Sequence, residues 1–225
     1  MAILEKPALG MVYGKVGELV FRRVDNTIVI TTYPDHIKIS DSAESKSNRK
    51  NFGVLSRIVK AVNSVTVFKL LWAKYPGKTI STKLKSVNKN RLGENGNISG
   101  IILAPAETYF PVQLAGFNIN GNIISIVIEG LEKTATLNDR QYLSAQGIIQ
   151  VYDNEENKQH FIGIASKDEI NKNGEPVTFE FMIDSINRVL LESSTDIKFL
   201  VNIIYKNYNL EPTYISENIY ICPAD

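Results

Sequence analysis

The sequence predicts an α+β, mainly β protein. An N-terminal β-hairpin plus a small basic helical region (residues 1–97) precedes an antiparallel β-sandwich (residues 98–225). Three observations carry this reading. β-forming residues separated by turn signals occur near the start and throughout the second half. Residues 41–92 space their apolar residues three and four apart, as helices do. No stretch alternates strand with helix as a doubly wound nucleotide-binding sheet would.

In chain order, residues 11–33 read as a hairpin or short meander. "ELVFRRV" and "NTIVITTY" are β-rich, "VDNT" turns between them, and Pro34 ends the second strand. Asp41 or Ser42 caps the first helix by accepting free backbone N–H groups. On a helical wheel Phe52 joins Leu55, Ile58, Val59 and Val62 in an apolar stripe on one side, while Lys46, Arg49, Lys50, Arg57 and Lys60 share the other. A second helical piece, "TVFKLLWAKY", ends at Pro76-Gly77. A third runs from Thr79 to about Arg91, with Ile80, Leu84 and Val87 opposite Lys78, Lys85 and Lys89. From residue 98 the expected strands are "NISGIILAP", "PVQLAGFNI", "NIISIVIEG", "GIIQVYD", "HFIGIAS", "VTFEFMI", "IKFLVNIIYKN" and "TYISENIYICP". Asn120-Gly121 and Asn173-Gly174 supply hairpin turns. "VTFEFMI" alternates, with Val177, Phe179, Phe181 and Ile183 inward.

The 225 residues are 44% hydrophobic and 22% charged, an ordinary globular composition. The formal charge of +1 conceals a polarity. Residues 45–93 carry twelve Lys/Arg and no acid, whereas residues 94–225 carry eight Lys/Arg against eighteen Asp/Glu. Such a basic block suits contact with an acidic protein surface, including the acidic block of another copy, or non-specific contact with nucleic-acid phosphates. No helix-turn-helix, zinc finger or RNA-binding aromatic motif supports sequence readout. No apolar run approaches the roughly 20 residues of a membrane helix. "MAILEKPALG" lacks the basic-then-apolar order of a secretory signal, so synthesis in the cytoplasm and residence in a virion or assembled particle are expected. The lone Cys222 is expected to be a small buried hydrophobe.

The motifs argue against catalysis. "GMVYGKVGEL" falls short of a P-loop: Gly10 and Gly14 are one residue too close, Val16 replaces the magnesium-binding hydroxyl, and a strand follows. Gly77-Lys78-Thr79 has Trp72 where the first glycine belongs. Gly10, Gly14 and Gly17 therefore read as backbone-turn residues. His36 and His160 belong to no metal-ligand pattern, and Asp153, Glu155 and Asn157 lack the glycine and closing glutamate of a calcium loop. Ser47-x-x-Lys50 and Ser86-x-x-Lys89 lack companion acyl-transfer motifs. No catalytic, cofactor-binding or metal residue is assigned.

Gly10, Gly14, Lys15 and Gly17, followed by a hairpin and then Arg49 and Phe52 on a helix, resemble an uncharacterised protein family associated with Bacteroidota and their phages. Ser45 stands where that family often has glutamine. The resemblance covers about the first sixty residues and implies a phage-like or particle-forming setting, with no catalytic residue. The expected function is a non-enzymatic structural protein that self-assembles into a virion component or filament. Lys46, Arg49, Lys50, Arg57, Lys60, Lys78, Lys85 and Lys89 would contact copies of itself, other particle proteins or a polyanion. The alternatives are a non-specific nucleic-acid-associated protein, and a β-sandwich carbohydrate or surface-binding module using Trp72 and tyrosines.

Overall fold

The computed structural model describes residues 2–4, 14–24, 27–32, 39–77, 79–93, 96–106, 109–131, 142–154, 158–170, 174–194, 196–207 and 209–223. The chain forms two compact units, Met1–Lys46 and Ser47–Asp225.

In the first unit, β1 (Ala2–Leu4), β2 (Gly14–Val16), β3 (Leu19–Val24) and β4 (Thr27–Thr32) form an antiparallel sheet in the order β1-β4-β3-β2. The expected hairpin is therefore the centre of a four-stranded sheet. Val16 pairs with Leu19, so Gly17 is the first residue of a two-residue turn, and its φ of +58° is one that glycine adopts without strain. Gly14 also has positive φ, +102°. Gly10 lies outside the described residues, as do Pro34 and His36. Among residues 14–22, 28–32 and 39–46 of this unit, Ile28 is the one buried side chain, Val20, Phe21, Val29 and Ile30 are half-buried, and Val16 and Leu19 are 58% and 42% exposed.

The second unit has three layers. Its helical layer is α1 (Ala43–Ser64, entering from the first unit), α2 (Thr66–Lys74) and α3 (Ile80–Asn88). Ser42 Oγ accepts from Ser45 N at 3.2 Å and caps α1. The short helix α4 (Ser185–Glu192) was not anticipated; Asp184 caps it by accepting from Asn187 N at 2.8 Å. The middle layer is a seven-stranded sheet. Its path is β10 (Glu169–Ile170), β8 (Tyr142–Asp153), β12 (Ile197–Lys206), β13 (Pro212–Ser216) and β5 (Tyr109–Phe110). Off this path, β9 (Lys158–Ala165) pairs with β8 and β14 (Ile219–Ile221) with β12. The outer layer is β11 (Val177–Met182), β7 (Ile123–Ile128) and β6 (Leu114–Asn120), in that order. Val177, Phe179, Phe181 and Ile183 are buried as the alternation predicts, and Gly121 opens the β6–β7 turn.

Strands β8 and β12 are covered on both faces, which is why "GIIQV" and "FLVNII" read as nearly continuous apolar runs. Leu143, Ala145, Ile149 and Val151 of β8 join Phe199, Val201, Ile203 and Tyr205 of β12 against the three-stranded sheet. On the opposite face Ile148, Leu200 and Ile204 pack under Leu55, Ile58, Val62, Phe68, Trp72 and Leu84. The helices thus share a core with the sheet, and the chain divides at 46/47 rather than after residue 97.

Other expectations are corrected. "NISGIILAP" is not a strand: Ile98, Ile101 and Leu103 are buried in the helix-side core. Side chains take its backbone groups instead. Trp72 Nε1 donates to Leu103 O at 2.7 Å; Asn88 accepts from Ile102 N at 2.8 Å and donates to Ile102 O at 3.0 Å. "TYISENIYICP" splits into β13 and β14, and short β5 and β10 add edges. Phe52 is 60% exposed rather than in the apolar stripe, and the Lys85 ammonium sits 4.1 Å above its ring. Cys222 is exposed, not buried. Among the described residues no helix is long and apolar enough to cross a membrane.

Candidate functional site

The basic residues of the helices separate into several environments. Arg49, Lys50, Lys60 and Lys89 are exposed; Lys46 pairs with Asp41 at 3.5 Å; Arg57 and Lys85 are half-buried; Lys78 lies outside the described residues. Lys60 of α1, Lys69 of α2 and Lys85 of α3 line one open groove of about 680 Å³, with Ser56, Asn63 and Ser81 between them. Lys83 has a structural task. Its Nζ donates to the Trp72 and Ala73 carbonyls at 3.0 and 3.4 Å, at the end of α2 where the helix dipole favours a cation.

A second cavity, of about 610 Å³, brings α1 against the sheet. Strand register explains its chemistry. On the helix-facing side of β8 and β12, the rung Ile148–Leu200 is apolar and the next, Gln150–Lys198, is polar. Tyr152 follows, paired with Gln159 of β9, while its N–H donates to Asp196 O at 3.1 Å. The helix-side core thus gives way to a polar floor. Lys50, Val54 and Arg57 of α1 form a wall, with Lys158 of β9 and Asn97 completing the lining.

Among the described lining residues, Lys50, Arg57 and Lys198 stand beside one carboxylate, Asp196, which Lys198 engages at 2.6 Å, so that lining is cationic. Gln150 is 3% exposed. Its Nε2 donates to Gly96 O at 3.1 Å, which fixes the amide because a carbonyl only accepts. Its Oε1 is buried without a hydrogen-bond partner, and so is Arg57 Nε. Gly96 holds this floor tightly: its φ is +79°, and a Cβ there would stand 2.8 Å from Gln159 Oε1.

Of the predicted contact residues, the structure brings Lys50 and Arg57 together here, and Lys60 and Lys85 together in the groove. Sequence reading missed Lys158, Lys198 and Gln150, which lie in the acid-rich part of the chain. A signal was present. Gln146 and Gln150, and Lys198, Asn202 and Lys206, recur every fourth residue in otherwise apolar strands, so each set shares a face. Trp72 is fully buried and offers no sugar-stacking platform. Burial pushes the phenols of Tyr109 and Tyr220 above their usual value, so both stay neutral near pH 7 and supply no base. Among the described residues no group of His, Cys, Asp and Glu is placed to hold a metal ion.

No protein family matches the chain, and no curated protein is similar to it in sequence.

Proposed function

We propose that this chain is a non-enzymatic structural protein that assembles with copies of itself into a larger particle or filament. A virion component made in the cytoplasm is the setting that its N-terminal resemblance implies. One observation carries the reading: the first unit is a four-stranded sheet in which, among residues 14–22, 28–32 and 39–46, only Ile28 is buried, and Val16 and Leu19 stand exposed as a cross-strand pair. A small sheet needs an apolar face covered to be stable, and a neighbouring copy supplies that cover. The three-stranded sheet supports the same reading. Its outer strands β6 and β11 have no further strand partner among the described residues, and Met182 on its outside is 74% exposed.

The test is sedimentation of the full chain and of a Val16→Asp/Leu19→Asp variant. Large species for the parent and monomers with unchanged circular dichroism for the variant support assembly through this sheet. A parent that sediments as a monomer at all concentrations and salts refutes it.

A second reading, non-specific nucleic-acid association, is favoured by the Lys60–Lys69–Lys85 groove. Under that reading the parent sediments faster only when DNA is added, and Lys60→Glu/Lys69→Glu removes the shift.

A further inference from the structure

We propose that the cavity between α1 and the β8–β9–β12 sheet is a binding site for a small phosphorylated polyol, of the sugar-phosphate class. This goes beyond the assembly reading, which uses the first unit and the outer sheet. The lining asks for two kinds of group at once. Among the described lining residues, Lys50, Arg57 and Lys198 face one carboxylate, Asp196, already engaged by Lys198, so the space favours an anion. Arg57 Nε, buried without a partner, is a donor turned away from bulk water, and phosphate oxygens accept from such a group.

The second demand is the opposite. Gln150 is fixed by its bond to Gly96 O, and its buried Oε1 needs a donor that a bare phosphate dianion does not carry. A hydroxyl on the same ligand provides it. The volume of about 610 Å³ is in the range of small-molecule sites and exceeds what inorganic phosphate fills. The floor is preorganised, since Gly96 is held by Gln150 and lies close against Gln159.

The experiment is calorimetric titration of the full-length protein with ribose 5-phosphate, ribose and inorganic phosphate at physiological salt. Ribose 5-phosphate binds; ribose shows no heat; inorganic phosphate binds at least about tenfold more weakly. Arg57→Met and Gln150→Leu each weaken ribose 5-phosphate about tenfold or more, and only Gln150→Leu brings it down toward inorganic phosphate. Should Arg57→Met fail to fold, the exposed Lys50→Met serves, with a severalfold loss expected. Absence of ribose 5-phosphate binding, or binding unchanged in Lys50→Met and Gln150→Leu, overturns the site. Equal affinity for inorganic phosphate overturns the polyol requirement. Displacement of ribose 5-phosphate by a short oligothymidylate at equal phosphate concentration overturns the assignment to a free small molecule. None of these readouts depends on sedimentation, so site and assembly fail separately.

Discussion

The two units bury their residues in opposite ways. Ser47–Asp225 builds two cores on the two faces of one sheet, whereas Met1–Lys46 spreads four strands in which, among residues 14–22, 28–32 and 39–46, only Ile28 is buried. Both contain similar β-formers. The comparison teaches that strand propensity makes sheets, but only a second layer makes them stable alone.

The largest expected effects lie in the second unit. Phe179 is fully buried between the two sheets. Phe179→Ala should cost about 3–5 kcal/mol in chemical denaturation, through lost burial and the cavity left behind. Truncating exposed Leu19 to Ala should change monomer stability by less than about 0.5 kcal/mol. Equal costs would break the comparison.

Hydrogen exchange sharpens it further. Amides of β8 and β12, sealed on both faces, should exchange only through global unfolding, while those of β3 and β4 should exchange orders of magnitude faster in dilute monomer. Assembly should slow the second set specifically. Fast exchange persisting in sedimenting species would place the contact elsewhere.

A smaller effect is expected at Trp72. Trp72→Phe keeps most of the packing but leaves the Leu103 carbonyl without its donor, at a cost of about 1–3 kcal/mol. Smallest of all, Lys15→Ala should leave stability within about 0.5 kcal/mol and create or remove no nucleotide binding, whereas Gly17→Val should cost more because of its positive φ. Thermal melts with and without ATP read both.

Much of this was legible in the residues. The three basic helices announce themselves because Leu55, Ile58, Val59 and Val62 keep helical spacing and Pro76-Gly77 interrupts it. Strand β11 is legible from its alternation. What periodicity does not encode is which layer covers a face. Hence the boundary fell after residue 97, although Leu55 and Trp72 share a core with Leu200. Helix α4 escaped because it is only eight residues long, with Leu191 buried but Ile186 and Val189 exposed, so no stripe of core positions marks it. Phe52 escaped because a wheel assigns sides, not neighbours: the ring meets the Lys85 ammonium instead of the core. The cavity was half legible. Lys50 and Arg57 stood out in an acid-free block, but Lys158, Lys198 and Gln150 join them only through strand pairing.

The polar residues of the central strands have one more consequence. β8 and β12 pair over ten residues with one apolar face and one on which Ser144, Gln146, Gln150, Lys198, Asn202 and Lys206 interrupt the apolar residues. A slip of one position turns every side chain to the other face. It would carry Lys198, Asn202 and Lys206 into the dry space occupied by Phe179 and Ile126, where unpaired charge is costly. These residues therefore act as a register key: the observed alignment is favoured over its one-residue neighbour, which would bury their polar groups without partners.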